Sequence, residues 1–310
     1  MPLSVGFMGT GEFAAECLRL ISQEIKISWA VTNAPKAAGR GLKLKNTPLF
    51  EAAEKCGIET LMTEKLSSDA ELTEELKRKN ADVIIVIDFG HIVKEPILSM
   101  PRLGCINIHP SRLPQFRGAA PVQRTLMAGL KSTAVTIYKL NEGMDTGDIL
   151  AQHDIEIADN DNAESLYKKA AAAGCAALVH FIRDVPPKEW HFTKQNDAEA
   201  TFAAKVEKSE GKIDWQNESA EAIVNKIRGI GATPGVFCTF RGKRLRIDEA
   251  ECTNDTGLSA GEVSIVGGSL HIQCGKGALK LLAVRPEGKK SQRAEDWLRG
   301  ARVKEQERFE

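Results

Sequence analysis

Residues Cys105 to Pro121 read CINIHPSRLPQFRGAAP, and this segment contains the most informative residues of the chain. It begins as a strand in which two isoleucines alternate with Asn107 and His109, so the two polar side chains share one face. Pro110 blocks further pairing, and a loop rich in Ser, Arg, Pro and Gly leads to a proline suited to open a helix. In open α/β sheets ligands bind where strands end. An amide and an imidazole together at a strand exit therefore indicate a functional site, whereas either one alone would more often be incidental.

On both sides of this stretch, apolar strands alternate with helices up to about residue 182. This alternation is typical of a doubly wound, mostly parallel α/β sheet of the Rossmann-like kind. Val83 to Ile87 is an unbroken β-branched run, as expected of a strand buried on both faces. Ser68 and Glu71 predict a capping box at the start of a helix that runs to about Lys79.

The first strand runs into a glycine turn, Gly9-Thr10-Gly11, which with Ala14 fits the dinucleotide pattern GxGxxG/A. That pattern also needs an acidic residue about 20 residues further on to hold a ribose. The second strand, Ile25 to Thr32, ends without Asp or Glu. We therefore interpret the turn as a strand-to-helix connection that needs small residues, or as a turn facing another ligand, and not as a nicotinamide site.

Composition and cysteine usage limit the class of protein. The chain has 310 residues, 42% hydrophobic and 27% charged, with a formal net charge of zero, which suits one large or two moderate domains. Seven scattered cysteines without a CxxC predict reduced thiols in a cytosolic protein, with neither a disulfide framework nor a zinc site. No signal peptide or membrane span is recognisable, and no obligate protein partner is indicated. The predicted location is the cytoplasm.

Basic residues without compensating acids concentrate in residues 34–46, APKAAGRGLKLKN, as Lys36, Arg40, Lys43 and Lys45. This segment is either a solvated loop or an arm that orders on a polyanion such as a nucleic acid strand.

A second basic region follows the strand-and-helix region. After a polar, Pro-containing linker, five short strands from residue 236 onward predict a small OB-like β-barrel. The predicted boundaries are 1–188 for the catalytic domain, 189–206 for the linker and 207–310 for the barrel domain. Bases cluster in the barrel turns as Arg241, Lys243, Arg244, Lys289 and Lys290. They suit an RNA-binding appendage, with a solvated surface as the alternative.

A third polar residue completes the candidate site. Asp145 follows the strand Thr133 to Leu140 on a turn bracketed by two glycines. Asn, His and Asp without a Ser or Cys nucleophile argue against covalent acyl transfer and suit direct attack by an amine on a carbonyl-level carbon. Asn107 would donate to the carbonyl oxygen and His109 would stabilise the oxyanion. Asp145 would hold the imidazole and take the proton of the amine. This chemistry needs no metal.

The segments GCINIHPSRLPQFRGAAPVQR and NEGMDTGDIL together resemble the folate-dependent formyltransferase family. The segments FMGTGEFA, AAGRG and GKIDW, with the barrel, are similar to those members whose acceptor is a charged initiator tRNA, so the resemblance covers nearly the whole chain. It implies that Asn107, His109 and Asp145 are catalytic. It implies that 10-formyltetrahydrofolate is bound by Ser111, Arg112, Leu113, Pro114, Phe89 and Gly90. It also implies that Arg40 and the other basic residues named above bind the initiator methionyl-tRNA.

Three positions depart from the family's usual pattern. Arg112 stands where Leu is common, Asp88-Phe89 replaces the usual Ala-Tyr, and Gly11 stands where Pro is common. Alternatives remain for the acceptor: a small amine such as glycinamide ribonucleotide or an amino sugar, or water in a formyltetrahydrofolate hydrolase. A non-catalytic RNA-binding module is the alternative of another class. A small acceptor leaves the basic segments without a role, and the intact Asn, His and Asp argue against an inactive module.

Overall fold

The computed structural model describes residues 2–38 and 43–310. The contacts within the chain divide it into two compact units, each assembled from separated segments. The first unit contains Met1–Gly118, Ser132–Glu156 and Leu166–Phe202, and the second contains Ala119–Lys131, Ile157–Ser165 and Ala203–Glu310. The continuous domain division at residues 189–206 stays a prediction.

The first unit is built on a seven-stranded sheet with a separate two-stranded hairpin. Its strands are β1 (Val5–Gly9), β2 (Ile27–Asn33), β3 (Lys36–Ala38), β4 (Lys43–Lys45), β5 (Thr60–Thr63), β6 (Val83–Ile87), β7 (Cys105–His109), β8 (Ser132–Lys139) and β9 (Ile149–Glu156). The sheet order is β5-β2-β1-β6-β7-β8-β9, and β3 pairs only with β4. Pairing is parallel from β5 to β7 and antiparallel from β7 to β9. The predicted doubly wound, mostly parallel sheet is confirmed.

Helices alternate with these strands: α1 (Glu12–Ser22), α2 (Pro48–Lys55), α3 (Ala70–Lys79), α4 (Pro121–Met127) and α5 (Ala163–Asp184). Every residue of β1 and β6 is buried, as expected for central strands covered on both faces. The predicted capping residue of α3 is wrong. Asp69, not Ser68, caps this helix, and its carboxylate accepts the N–H of Leu72 at 3.0 Å. A carboxylate satisfies a free helical N–H and also complements the positive end of the helix dipole.

The order of the strands places a ligand crevice between β1 and β6. From β1 the chain proceeds outward to β2, and β6 then joins the opposite side of β1. In such sheets, ligands bind outside the strand ends at this switch point. Two backbone N–H groups of the turn after β1, those of Thr10 and Gly11, donate to the carbonyl oxygen of Asp88 after β6 at 3.0 and 3.3 Å. We refer to the space between the β1 and β6 exits as the β1/β6 crevice.

Strands β3 and β4 pair as a short hairpin in the basic segment after β2, for which the sequence left both a solvated loop and a polyanion-binding arm open. Lys36 of β3 lies opposite Lys45 of β4. Pairing satisfies backbone groups that a loop leaves to water. Arg40 and the side chain of Lys43, both predicted to bind tRNA, lie outside the described residues.

The second unit contains α4 and an antiparallel barrel with two further helices. The elements after the linker are α6 (Ala220–Ile230), β10 (Val236–Phe240), β11 (Lys243–Thr253), β12 (Val263–Val266), β13 (Ser269–Gln273), β14 (Ala278–Pro286), β15 (Gln292–Arg293) and α7 (Ala294–Ala301). The strand order is β10-β11-β14-β13-β12, with β15 on β14. Within the described ranges, no helix is both long enough and apolar enough to cross a membrane.

The carboxyl-terminal tail closes the predicted barrel. Gln306 donates its N–H to the carbonyl of Val263 in β12 at 2.8 Å. Glu310 and Thr239 of β10 exchange two backbone hydrogen bonds of 2.8 and 2.6 Å. Between them, the ring of Phe309 is buried and stacks on Phe240 with centroids 4.5 Å apart. The tail therefore bridges the two edge strands, which leaves the sheet without an open edge.

Candidate active site

Strand β7 carries Asn107 and His109 to the carboxyl edge of the first unit's sheet. In the pairing with β8, Asn107 lies opposite Tyr138 and His109 opposite Thr136. Asn107 is partly exposed, and its carboxamide forms no hydrogen bond with residues of the described part of the chain. His109 is almost completely buried, at 5% exposure. Asn107 is thus open to a ligand, whereas the imidazole is fixed by the protein.

The imidazole of His109 lies between two acceptors. Its Nε2 is 3.0 Å from the carbonyl oxygen of Phe116, and its Nδ1 is 3.8 Å from Oδ1 of Asp145. The second distance exceeds that of a hydrogen bond, but catalytic contacts often shorten only when substrate is bound. The structure brings Asn107, His109 and Asp145, predicted from three points of the sequence, to one site.

Two donors orient the carboxylate of Asp145. The hydroxyl of Tyr138 donates to Oδ1 at 2.7 Å, and the N–H of Gly118 donates to Oδ2 at 2.7 Å. Burial, with the charge of Asp145 adding to it, raises the pKa of Tyr138 well above its usual range. Tyr138 therefore remains a neutral hydrogen-bond donor at any physiological pH. The backbone of Asp145 has a φ of +54°, in the left-handed region that aspartate tolerates better than most residues.

A hydrogen-bonded chain from Arg117 fixes the backbone of the Asp145 turn. The side-chain Nε2 of Gln195 donates to the carbonyls of Asp145 and Gly147 at 2.9 and 2.7 Å. Its Oε1 accepts two hydrogen bonds from Arg117, from Nε at 3.1 Å and from Nη2 at 2.8 Å. Arg117 is 4% exposed, and its Nη2 also donates to Asp197 at 2.8 Å. We call Arg117 and Gln195 the turn latch.

Close packing of the same turn restricts Gly147. A Cβ at this position would overlap the carbonyl oxygen of Lys139 at the end of β8. Only glycine therefore lets the turn lie against β8 in the conformation that presents Asp145.

Neither Tyr138 nor the two residues of the turn latch were predicted from the sequence. Gln195 lies within the segment predicted as a linker, and no local pattern connects it with Arg117, 78 residues earlier. Tyr138 did carry a signal. It is one of two tyrosines in the chain and lies in a predicted strand, and a buried phenol needs a hydrogen-bond partner.

The segment predicted to contact folate is only partly open to a ligand. Ser111 is fully buried, and its hydroxyl donates to the carbonyl of Gln115 at 2.7 Å. Leu113 is also buried, and its N–H donates to the hydroxyl of Thr136 at 3.2 Å. Arg112 and Pro114 are partly exposed, and Arg112 pairs with Asp154 of β9 at 2.6 Å. Ser111 and Leu113 therefore shape the loop, whereas Arg112 and Pro114 can face a ligand.

The other predicted folate contacts, Phe89 and Gly90, differ from each other. Phe89 is 3% exposed and its ring belongs to the apolar core of the first unit, so its side chain is not available to a ligand. Its carbonyl accepts the hydroxyl of Thr10 at 2.8 Å. Gly90 is exposed.

The predicted tRNA-binding bases fall into two groups. Lys36 and Lys45 in the hairpin, and Lys243, Lys289 and Lys290 in the barrel, are exposed and form no ion pair with a residue that the structure describes. Arg244 is exposed and lies 3.7 Å from the ring centroid of Phe237. Arg241 instead pairs with Glu307 at 2.6 Å and donates to the carbonyl of Ala301 at 2.9 Å. The guanidinium of Arg241 therefore fixes the closing tail. The other basic residues remain accessible to a polyanion.

Asp88 lies in the β1/β6 crevice with a φ of +46°. The residue is accessible to solvent, yet the walls of the crevice desolvate its carboxylate, and this burial raises the pKa of Asp88 to about 6. A Cβ at Gly11 would overlap this carboxylate. The two departures from the family pattern at positions 11 and 88 are thus in direct contact.

The raised pKa gives a testable dependence of stability on pH. The folded state holds the proton of Asp88 more tightly than the unfolded state, where the pKa is ~4. The contribution of Asp88 to stability is therefore fully present below pH ~4 and is lost as the pH rises to about 6. We expect Asp88→Asn to raise the Tm relative to the wild type progressively over this interval, with a constant gain above it. Thermal unfolding between pH 4 and 8 would show this, and a difference that is flat with pH would contradict it.

Comparison with known proteins gives the same assignment for both parts of the chain. Residues 5–182 match the model of the formyl transferase family, and residues 205–302 match that of the formyl transferase C-terminal domain. Methionyl-tRNA formyltransferase of Rickettsia peacockii (strain Rustic) is 37% identical over 302 residues, which cover 97% of this chain and 98% of the relative. The enzyme of the same name from Caldicellulosiruptor saccharolyticus is 36% identical over 313 residues, with the same coverage.

Among solved structures, the N-formyltransferase of Helicobacter canadensis, in complex with folinic acid and dTDP-3-aminofucose, has a TM-score of 0.65. It is 18% identical, and the match covers 90% of this chain and 98% of that chain. At this identity the likeness shows a shared fold.

Proposed function

Because the chain belongs to the methionyl-tRNA formyltransferase family, we propose that Asn107, His109 and Asp145 carry formyl transfer from 10-formyltetrahydrofolate to methionyl-tRNA. The enzyme transfers a formyl group to the free amino group of methionyl-tRNA, and the product, N-formylmethionyl-tRNA, serves translation initiation. We also propose a cytoplasmic location, because charged initiator tRNA is consumed where translation takes place. These roles are supported mainly by one observation: the accessible carboxamide of Asn107, the fixed imidazole of His109 and the oriented carboxylate of Asp145 lie at one site.

The proposed reaction proceeds by direct attack. The amine of the methionyl group adds to the formyl carbon, and the carbonyl oxygen becomes an oxyanion. Asn107 donates a hydrogen bond to this oxygen. Because Nε2 of His109 donates to the carbonyl of Phe116, protonated His109 stabilises the same charge through the N–H of Nδ1. Donors placed where charge develops each contribute on the order of a hundredfold or more to the rate. The bond to the folate nitrogen then breaks, and that nitrogen takes up a proton as tetrahydrofolate leaves.

Asp145 is proposed to act on the proton that the attacking amine must lose. Its carboxylate accepts this proton directly or through a water molecule. Tyr138 and Gly118, each 2.7 Å from one of its oxygens, fix its orientation. The turn latch fixes its backbone, so the carboxylate stays in place while the acceptor approaches.

The folate donor is proposed to lie along residues 111–114 and Gly90. Only Arg112, Pro114 and Gly90 among the predicted contacts are accessible. Arg112 pairs with Asp154 at 2.6 Å, so its positive charge is compensated before folate binds. Its partly exposed guanidinium can also contact an anionic group of the folate. Ser111 and Leu113 act through the shape of the loop.

The tRNA is proposed to contact the basic hairpin, Arg40 and the open bases of the barrel. We expect the double variant Lys289→Ala/Lys290→Ala to raise the KM for methionyl-tRNA and leave the KM for formylfolate unchanged. The slope of log affinity against log salt concentration should become shallower by about 0.7 to 0.9 for each phosphate that the variant no longer neutralises. Formylation rates at several salt concentrations would measure both effects.

Lys276→Ala is a suitable control for this double variant, because Lys276 is an exposed barrel lysine outside the proposed set. An equal change in the KM values of both substrates, or an equal effect of the control, would contradict the assignment.

The function is tested with purified protein, 10-formyltetrahydrofolate and charged initiator methionyl-tRNA. Uncharged tRNA, glycinamide ribonucleotide and an amino sugar nucleotide serve as parallel acceptors. Formylation of the charged tRNA alone supports the proposal. Formylation of a small amine alone would retain the catalytic residues and remove the role proposed for the basic segments. Loss of formyl groups without any acceptor product would indicate a hydrolase.

A further inference from the structure

The strand exits at the carboxyl edge of the first unit's sheet follow a fixed order. The exit of β2, which continues into the basic hairpin, comes first, followed by those of β1, β6 and β7. Asn107 and His109 stand at the β7 exit. An RNA end held by the hairpin therefore crosses the β1/β6 crevice before its amino group reaches His109. Neighbouring strands are about 4.8 Å apart, so a side chain at the β6 exit can reach a group placed beside β7.

Asp88 lies in this path without a partner in the part of the chain that the structure describes. Its carboxylate forms no hydrogen bond and no ion pair with residues 2–38 or 43–310. It lies over the Cα of Gly11, in the space that a Cβ would fill, and so leans toward the turn after β1. Of the proposed folate contacts, residues 111–114 follow β7, on the far side of β6 from Gly11, and only Gly90 shares the β6 exit with Asp88. The carboxylate therefore faces the side from which the acceptor arrives.

Two further polar atoms near the same exits lack partners. Oδ1 of Asn33, at the end of β2, and Nε2 of His91, just after β6, are buried without a hydrogen bond to any described residue. A Cβ at Gly90, between Asp88 and His91, would lie 3.7 Å from the amide of Asn33, so these groups belong to one neighbourhood. Carboxylate and amide oxygens are acceptors, and a neutral imidazole nitrogen can be one. The ligand that satisfies them carries several N–H or O–H donors.

We propose that Asp88 is a specificity-determining residue that binds the α-ammonium group of the methionyl acceptor as it enters the active site. This inference rests on the proposed function, and it adds a residue where the family usually has alanine. The aminoacylated end of a tRNA presents hydroxyl donors and one positive charge, the α-ammonium group. A desolvated carboxylate that pairs with no cation among the described residues is stabilised most by a cation from a ligand. Gly11 provides the space that the carboxylate needs. This explains why positions 11 and 88 both differ from the family's usual residues in this chain.

The test compares the binding of two unreactive tRNA probes in the absence of formyl donor. In the first, an amide replaces the ester that links methionine to the tRNA, and the α-amino group is retained. The second is the same molecule without the α-amino group. Charge-assisted hydrogen bonds contribute enough for the wild type to prefer the first probe by about tenfold or more in Kd. Asp88→Asn should reduce this preference to less than about twofold while leaving the affinity for the second probe unchanged.

Glu12→Gln is the matched control, because Glu12 is an exposed acid next to Gly11 in the first turn of α1. It should keep the wild-type preference. A second variant, Gly11→Ala, displaces the carboxylate without removing it and should lose the preference as Asp88→Asn does. This variant keeps the test decisive if Asp88→Asn folds poorly.

Three outcomes would overturn the inference. Asp88→Asn could keep the preference for the amine probe, or weaken both probes equally, which would indicate a structural role. It could instead raise the KM for formylfolate alone, which would place the carboxylate at the folate. The formylation assay on wild-type protein is read separately. If the wild type does not formylate charged tRNA, the proposed function fails regardless of the binding ratio.

Discussion

Asp145→Asn is expected to bind both substrates and to turn them over on the order of a thousandfold more slowly. An amide cannot take the proton of the attacking amine. The new side chain also carries an N–H₂ group where the protein supplies two donors, the Tyr138 hydroxyl and the Gly118 N–H. One of these donors loses its acceptor, which costs ~1–3 kcal/mol of stability. The loss in rate should therefore greatly exceed the loss in folding.

Single-turnover formylation at saturating concentrations, with thermal unfolding and folate binding measured on the same preparations, would test this expectation. Asp148→Asn is the matched control, because Asp148 lies three residues further along the chain and loses the same charge. The proposed role of Asp145 would be refuted by a rate within tenfold of the wild type. A complete loss of folate binding, together with a large fall in Tm, would make Asp145 a structural residue.

Arg117→Ala is the second variant expected to have a large effect. It removes a buried guanidinium and leaves Gln195 without the two hydrogen bonds that orient it. The free energy of unfolding should fall by roughly 2–4 kcal/mol, because a buried hydrogen-bonded network is broken. The turnover number should fall by about tenfold to a hundredfold, because small displacements of catalytic groups have effects of this size.

Two companion variants separate the positioning role of Arg117 from its structural role. Gln195→Ala removes the donor to the carbonyls of Asp145 and Gly147, and Gln195 is more exposed than Arg117. It should lower the turnover number as much as Arg117→Ala while reducing Tm less. Asp197→Asn changes a mostly exposed partner of Arg117 and should affect neither. If the turnover of Arg117→Ala well below its Tm equals that of the wild type, the turn latch has no part in catalysis.

The sheet and strand β7 were predictable because their sequence signals are local. Period-two alternation in residues 105–109 fixes the shared face of Asn107 and His109, and the following proline fixes the end of the strand. The β-branched run of β6 reports burial on both faces directly. Asp145 could be placed because two glycines mark its turn. In each case the information lies within a few residues of the feature.

The remainder of the site depends on contacts between residues far apart in sequence. Gln195 reaches Asp145 from 50 residues away, and Arg117 reaches Asp197 from 80 residues away. A polar segment that wraps back onto an active site has the same composition as a linker, so residues 189–206 gave no warning of this role. The capping residue of α3 was predicted wrongly for a different reason. Ser68 and Asp69 are both good capping residues, and the backbone before the helix decided between them.

Closure of the barrel by its tail also could not be predicted from local sequence patterns. Residues 304–310, KEQERFE, read as a charged end with one aromatic residue. That aromatic residue, Phe309, is nevertheless 1% exposed in the barrel core. The pairing of Glu310 with Thr239 spans 71 residues of chain, and no periodicity predicts a pairing of this kind.

The position of Phe309 has a consequence for synthesis of the protein on the ribosome. The edges of β10 and β12 are covered by residues 306–310, which follow both strands in the chain, so these edges of a nascent barrel stay unpaired until residues 306–310 have emerged. Unpaired strand edges are the surfaces through which growing chains associate wrongly. The second unit also includes α4, made long before, which packs on α6. The second unit therefore completes its folding only after residues 306–310 have emerged, and conditions that slow translation of these residues prolong the exposure of the strand edges.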